Sequence, residues 1–318
     1  MENLVFSLNA TVPIFAMMVL GYLFRKIGLI DEKAASWMNK FVFKIALPVL
    51  VFKDLAGQDF AGTWNGKFVL FCFGVTVLSI ILSALVSGLV VKDRAKRGEF
   101  IQASYRSSAA LLGIAFIHNI YGESASGMGP LMILGSVPLY NVCAVTVLML
   151  TAEQDNGKDR KGLVKSTLKG IVTNPIIIGI AVGLLWSLLR IPQPKVFQTI
   201  VSNIAGLATP LGLMSMGATF EFKKAIGDIK PALVAAFIKL FALAAIFLPI
   251  AVALGFAGEQ IVAILVMLGS ATTVSCYIMA KSMGHEGTLS SNVIMLTTFG
   301  CSFSLTLWLF VLRSLGVI

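Results

Sequence analysis

Long apolar runs, separated by short polar segments, recur along the whole chain. Each run has about 20 residues, the length at which an α-helix crosses the hydrocarbon core of a bilayer. The pattern therefore predicts an all-α membrane protein with ten transmembrane helices, which we number as spans 1 to 10. Their predicted bounds are 4–24, 34–55, 68–91, 101–121, 128–151, 168–189, 197–220, 231–254, 260–281 and 289–315.

Composition agrees with this interpretation. The 318 residues are 57% hydrophobic and 13% charged, whereas soluble domains carry about 25% charged residues. The net charge of +10 does not indicate nucleic-acid binding, because the basic residues lie in short loops between apolar runs, as membrane topology requires. The first residues lack a basic segment, so the first apolar run is predicted to be a spanning helix in the lipid bilayer and not a cleaved signal.

The distribution of basic residues predicts the orientation. Alternate loops hold sixteen Lys and Arg residues on one side and five on the other. Because the basic side faces the cytoplasm, both termini are predicted to lie outside the cell (inner) membrane. The polar segment 152–167 becomes a cytoplasmic linker between two halves, 1–151 and 168–318.

An internal repeat supports this division. The segment 46–60 resembles 208–222, and "GEFI" before span 4 matches "GEQI" before span 9, at offsets of 160 to 162 residues. Five spans per repeat is an odd number, so the second copy must be inverted in the membrane. Inverted repeats are typical of secondary transporters, whose substrates bind near the midplane between broken helices.

Spans 4 and 9 are the least lipid-like, with "SYRSSAALLG" at 104–113 and "GSATTVSCY" at 269–277. Such small and hydroxyl residues can stabilise unwound backbone, although ordinary close helix packing explains them too. If both helices are interrupted and cross, positive helix ends point at a bound anion. We therefore predict a substrate site formed by Arg106, Ser107, Ser108, Asn141, Asn174, Thr272, Thr273 and Ser275.

The sign of the intramembrane charge favours an anionic substrate. Arg106, Lys44 and Lys239 lie in or near apolar spans, whereas no Asp or Glu is expected deep in any span. A charge at the bilayer centre is costly and usually marks a transport pathway. For Lys44 and Lys239 the favoured interpretation is that the side chain reaches to the membrane surface.

Motifs of other classes are weak or absent in the sequence. The four cysteines lie in apolar segments and predict no disulfide framework. His118 and His285 lack the spacing of metal ligands, and no protease or hydrolase signature occurs. We expect no metal, no cofactor and no enzymatic activity. The segment "GIAVG" (179–183) has the GxxxG spacing of a helix-packing face.

Several motifs together resemble the auxin efflux carrier family, whose bacterial members include permeases for malate and related acids. These motifs are "TVPIFAMMVLGYLFRKIGLI", "NKFVFKIALPVLVF", "SSAALLGIAFIHNIYGE", "TNPIIIGIAVGL" and "ATPLGLMSMGATF". The resemblance implies the fold of sodium/proton antiporters and bile-acid transporters, with two inverted five-helix repeats. Spans 1, 2, 6 and 7 would form a scaffold that dimerises, and the remaining spans a moving domain that carries a small organic anion, such as a mono- or dicarboxylate, in an elevator-like motion.

The chain departs from the family pattern where spans 4 and 9 cross. Ser107 and Ser108 replace a Pro-Asn pair, and Ala271 and Cys276 stand where prolines are expected. With Gly113, these last two are the predicted crossover and hinge positions. Because an amide has become a hydroxyl, Arg106 is expected to bind the carboxylate instead, since a guanidinium can form two parallel hydrogen bonds to it.

Two alternatives stay open at this point. One is a sodium- or proton-coupled carrier of the bile-acid or antiporter type, in which backbone carbonyls and hydroxyls can hold sodium. The other is a membrane sensor that uses the same fold without net transport.

Overall fold

The computed structural model describes residues 16–57, 64–109, 114–121, 127–152, 169–170, 172–220, 226 and 228–318. Most of predicted span 1, nearly all of the predicted linker 152–167, and Gly113 lie outside these residues. The described part is all-helical, apart from turns and one isolated antiparallel bridge.

Eleven helices can be labelled in chain order after a first helical stretch at 16–26. They are α1 Glu32–Ala56, α2 Gly66–Val90, α3 Arg94–Tyr105, α4 Ile114–Tyr121, α5 Met128–Thr151, α6 Pro175–Leu188, α7 Lys195–Ala218, α8 Ile229–Ala253, α9 Glu259–Gly269, α10 Ser275–Ser282 and α11 Thr288–Ser314. Helices α1 and α8 each contain one wide π-helical turn, Val42–Ala46 and Ile238–Ala242.

Within the described residues, five helices are long and apolar enough to cross a membrane: α1, α2, α5, α7 and α8. Helix α11 becomes a sixth if its two halves, which meet at 44°, form one span. These six correspond to predicted spans 2, 3, 5, 7, 8 and 10. The chain is thus a multi-pass helical protein, and the total of ten spans stays a prediction.

Helix starts are set by local capping chemistry. The Asp31 carboxylate accepts a hydrogen bond from the Ala34 N–H at 2.7 Å at the start of α1, and Asn65 does the same for Phe68 at 3.1 Å before α2. Such side chains satisfy backbone donors that have no partner inside the helix. Asn174 caps α6 in the same way, with Pro175 at the first helical position, where its missing N–H costs nothing.

The half-helices of spans 4 and 9 lie in the centre of the molecule. Every residue of α3 from Gly98 to Tyr105 is buried, and so is every residue of α9 except Gln260. Their inner ends therefore meet in the interior of the protein. This arrangement places unwound backbone at the core of the structure.

Helix α6 packs closely on the second half of α1, as the GxxxG spacing predicts. A Cβ atom added at Gly179 would lie 2.5 Å from the Pro48 carbonyl oxygen, and one at Gly183 would lie 3.0 Å from that of Phe52. Both obstacles are backbone atoms, which cannot rotate away. Only glycine permits this approach.

We expect Gly179→Ala to lower the free energy of unfolding by about 1–3 kcal/mol, because the added methyl overpacks a backbone contact. Gly74→Ala is the matched control, since open space surrounds that position on α2. Thermal unfolding in detergent measures both variants. Equal unfolding temperatures for the two would contradict the close contact between α1 and α6.

Candidate functional site

The interior ends of α3 and α9 run into extended backbone that crosses at the centre. The chain leaves α3 at Arg106 in an extended conformation (φ −74°, ψ 127°), and it leaves α9 at Ser270 likewise (φ −79°, ψ 166°). An antiparallel bridge pairs Ser107 with Thr272, and the Ser108 N–H donates to the Ala271 carbonyl at 3.0 Å. Both spans are therefore interrupted at these residues, without the prolines of the family pattern.

Hydroxyl groups satisfy much of the remaining polar backbone at the crossing. The Thr272 side chain donates to the Ala103 carbonyl at 2.8 Å, and the Thr272 N–H donates to the Thr297 hydroxyl at 3.0 Å. Unwound backbone away from water needs such partners, because each unsatisfied group costs several kcal/mol. Ser and Thr side chains thus stabilise the unwound backbone at the crossing.

The Arg106 guanidinium lies buried beside this crossing, at 2% exposure. Its Nη2 donates to Asn141 Oδ1 at 3.0 Å and to Ser275 Oγ at 2.9 Å. Its Nη1 donates to Gln102 Oε1 at 3.2 Å and lies 2.9 Å from Met279 Sδ. All these partners are neutral, and within the described residues Arg106 forms no ion pair.

The Arg106 Nε–H has no hydrogen-bond partner in the described part of the protein, although it is buried. A buried and unpaired charge is costly, and so is a buried donor that has no acceptor. The guanidinium therefore offers a positive charge and one free donor. An anion with an acceptor oxygen would satisfy both.

A cavity of about 100 Å³ opens next to Arg106. Its volume equals that of a few water molecules, so it suits a ligand of few heavy atoms. Its wall combines α1, α6 and α7 on one side with the crossing, α5, α10 and α11 on the other. The polar and charged lining consists of Asp54, Arg106, Ser107, Ser108, Tyr140, Asn141, Thr209, Thr272, Thr273, Ser275 and Thr298.

The structure brings together most of the predicted site residues. Seven of the eight predicted substrate-binding residues line the cavity, as does the predicted hinge residue Ala271. The eighth, Asn174, is outside the lining, and its Oδ1 accepts from the N–H groups of Ile176 and Ile177 as a helix cap. The predicted hinge residue Cys276 lies behind the cavity, where its carbonyl accepts from Gln102 Nε2 at 2.9 Å.

Two polar residues next to the crossing were not among the predicted site residues. Gln102 connects Arg106 to the backbone of Cys276 across the two half-helices. The Tyr140 hydroxyl lies 3.3 Å from Ser107 Oγ and 3.3 Å from the Met267 carbonyl. A glutamine one turn before a buried arginine was the available hint for Gln102, because residues i and i+4 face each other on a helix.

Asp54 adds a carboxylate to the cavity that was not among the predicted site residues; it lies two residues before the end of α1 and not deep in the span. It lines the cavity together with Leu47, Leu50 and Val51, on one face of α1. The seven helical steps from Leu47 to Asp54 cover about 10 Å along the helix, so the carboxylate belongs to one end of the cavity. Sequence position hid this role, because Asp54 follows Lys53 near the end of an apolar run and resembles a loop residue.

The position of Lys239 differs from the prediction. Its side chain is 0% exposed and does not reach the membrane surface. Its Nζ donates to the carbonyls of Leu268 at 2.6 Å and Met267 at 3.2 Å, in the last turn of α9. A cation is favourable at the negative end of a helix dipole. Lys239 thereby caps the interrupted helix at the crossing, whereas the Lys44 side chain is exposed.

A second, wider cavity of about 820 Å³ lies between α1, α7 and α10. Four basic side chains line it, Arg25, Lys40, Lys44 and Lys281, and its acidic residue Glu32 is already paired with Arg25 at 3.1 Å. We call this cavity the basic vestibule. Two of these basic residues, Arg25 and Lys281, belong to segments predicted to face the cytoplasm.

Comparison with known proteins identifies the family of the chain. Residues 6–309 match the family described as "Membrane transport protein", and the chain therefore belongs to this family, that of the auxin efflux carriers. It is similar to a "Putative malonate transporter" of Rhizobium meliloti (strain 1021), at 25% identity over 95% of this chain and 94% of that protein. It is also similar to an "Uncharacterized transporter" of Methanothermobacter thermautotrophicus, at 22% identity over 96% and 98% of the two chains.

Membership of this family defines the general activity. The protein is a multi-pass membrane transport protein with a small-molecule substrate. The family assignment implies that it acts as a permease.

Proposed function

We propose that the protein is a secondary transporter that moves a small organic anion, such as a mono- or dicarboxylate, across the cell membrane. One observation carries this proposal: a buried arginine, without an acidic partner among the described residues, presents a free Nε–H beside a small cavity. In an interior of low dielectric, such a charge strongly favours an anion. Arginine also matches the planar geometry of a carboxylate better than lysine does.

The surroundings of Arg106 support a carboxylate as ligand. The first residue of α10, Ser275, lines the cavity next to Thr273, so the positive end of that helix dipole lies at the site. Hydroxyl groups of Ser107, Ser108 and Thr298 supply further donors. The similar Rhizobium meliloti protein carries the name of a malonate transporter, which makes malonate the first substrate to test.

The position of the cavity supports an elevator-type mechanism. One wall comes from α1, α6 and α7, in the predicted scaffold, and the opposite wall from helices of the predicted moving domain. A substrate at this boundary would travel with the moving domain while the scaffold stays fixed. Together with this mechanism, we infer that residues 1–151 and 168–318 form two inverted repeats and that both termini lie outside the cell membrane. We also infer a homodimer formed through the scaffold.

A ligand screen on the purified protein tests the proposal. We expect malonate and similar carboxylates to raise the unfolding temperature in detergent. At a hundredfold excess over its dissociation constant, a ligand should stabilise the folded protein by about 3 kcal/mol. Indole acids should have little effect, because the cavity holds only a small ligand. Stabilisation by sodium alone, with none from any carboxylate, would contradict an anion carrier and favour the cation-coupled alternative.

A further inference from the structure

The Arg106 guanidinium is held by neutral acceptors that leave its charge intact. A guanidinium has two N–H groups on each Nη and one on Nε. The four Nη–H groups of Arg106 have four acceptors at 2.9–3.2 Å: Gln102 Oε1, Asn141 Oδ1, Ser275 Oγ and Met279 Sδ. Asp54 lines the same cavity, but among the described residues no carboxylate forms an ion pair with Arg106. The guanidinium is therefore fixed in position while its charge stays uncompensated.

The Gln102 side chain can make its contacts in only one orientation of the amide. It is fully buried, its Nε2 donates to the Cys276 carbonyl at 2.9 Å, and its Oε1 accepts from Arg106 Nη1 at 3.2 Å. A carbonyl oxygen can only accept a hydrogen bond and a guanidinium can only donate one, so a flipped amide would lose both bonds. The contact with Cys276 therefore fixes the amide oxygen toward Arg106.

Asn141 repeats this pattern from another helix. Its Nδ2 donates to the Val137 carbonyl at 2.9 Å within α5, and its Oδ1 accepts from Arg106 Nη2 at 3.0 Å. Two anchored amides thus hold the two Nη atoms of one guanidinium, one amide from α3 and one from α5. Both helices belong to the predicted moving domain, so this arrangement would travel with a bound substrate.

The choice of amides over carboxylates determines the charge of the site. An amide oxygen is neutral overall and accepts a hydrogen bond without cancelling the positive charge of the donor. A carboxylate in the same place would form an ion pair with Arg106, and this attraction is strong in an interior of low dielectric. We infer that Gln102 is a positioning residue that determines charge selectivity: together with Asn141, it fixes Arg106 and leaves the positive charge to the substrate. This inference rests on the proposed function of the same cavity.

Gln102→Glu tests the inference, because it replaces the amide with a carboxylate of nearly the same shape. Malonate counterflow in proteoliposomes is measured at neutral pH over a series of malonate concentrations. We expect KM to rise about thirtyfold or more, because malonate must compete with the new ion pair for Arg106. The maximal rate should change much less than KM, since the variant weakens binding of the substrate in every state alike.

Gln102→Met separates the effect of charge from that of structure. Methionine has a similar length but neither donates to Cys276 nor neutralises Arg106, so we expect KM to rise by less than about tenfold. Glutamate keeps an acceptor for Arg106 and methionine offers at most a weak one. A purely structural role of Gln102 therefore predicts that methionine is the more harmful of the two, which is the opposite order.

Asn141→Asp makes the corresponding change from α5 and should raise KM in the same way, which provides a second test if Gln102→Glu does not fold. Size-exclusion chromatography in detergent establishes that each variant is monodisperse. Gln198→Glu is the matched control, because Gln198 is exposed on α7 and its Nε2 also donates to a backbone carbonyl, that of Gln193 at 3.0 Å. This control should transport malonate with the native KM.

Two results would overturn the inference. One is a nearly native KM in a monodisperse Gln102→Glu or Asn141→Asp protein. The other is a KM that rises as much in Gln102→Met as in Gln102→Glu, because loss of the free charge would then not be the cause. Absence of counterflow by the native protein with malonate and other carboxylates would instead overturn the proposed function.

Discussion

Replacing Arg106 with alanine should reduce malonate counterflow in proteoliposomes about a hundredfold or more. The change removes the positive charge of the cavity and the free Nε–H, and truncation of a buried hydrogen-bonded charge at a binding site costs about 2–5 kcal/mol. Each 1.4 kcal/mol corresponds to a factor of about ten in affinity. The variant also leaves Asn141 Oδ1 without the Arg106 donor, whereas Ser275 Oγ keeps the Thr273 hydroxyl as a partner.

Two further variants make this result specific. Arg106→Lys keeps the charge but loses the planar fork of donors, and we expect intermediate activity. Arg313→Gln removes an exposed arginine near the end of α11 and should transport at the native rate. Native counterflow by a monodisperse Arg106→Ala protein would contradict the assignment of Arg106 to the substrate site.

Lys239→Glu should prevent the protein from folding. The substituted carboxylate would lie fully buried against the Met267 and Leu268 carbonyls, at the negative end of α9. An unpaired buried ion costs several kcal/mol, which is comparable to the 5–15 kcal/mol of stability that a typical protein has. Size-exclusion chromatography in detergent measures the outcome, and we expect aggregated protein or none.

Lys44→Glu provides the matched control for this change. Lys44 occupies the π-helical turn of α1 as Lys239 occupies that of α8, but its side chain is exposed. The control protein should elute as a single species with nearly the native unfolding temperature. A monodisperse Lys239→Glu protein with the same unfolding temperature would show that the crossing does not need the buried cation.

Hydropathy predicted the uninterrupted helices well. Span 5 was predicted at 128–151, and α5 has the same bounds; the ends of α1, α2, α7, α8 and α11 agree to within two residues. In a membrane, apolar length alone fixes the extent of a helix, so a single sequence suffices. Span 6 was predicted to begin at 168, whereas α6 begins at Pro175. The reason is that the Asn-Pro pair starts a helix and hydropathy does not detect this.

The candidate site was predictable where the repeat and the sequence chemistry agreed. Arg106 and the hydroxyl residues of spans 4 and 9 stand out because they are polar within apolar runs, and they line one cavity. Asn174 stood out for the same reason, yet its polar atom serves the backbone of α6. Polarity in an apolar run thus identifies a local need for a hydrogen bond, which a substrate or a helix end can equally explain.

Tertiary contacts decide the residues that sequence reasoning missed. The environment of Asp54 depends on how α1 packs against the crossing, and that of Lys239 on the position where α9 ends. Both environments depend on contacts between elements that are far apart in the sequence. Charge counting treats every lysine inside a span alike, whereas the three-dimensional structure separates the exposed Lys44 from the buried Lys239.

An experimental structure with malonate bound tests the central claim most directly. The account predicts malonate in the cavity at the crossing, with a carboxylate oxygen within hydrogen-bond distance of Arg106 Nε. Malonate bound only in the basic vestibule, near Arg25 and Lys281, with the Arg106 Nε–H still without a partner, would contradict it.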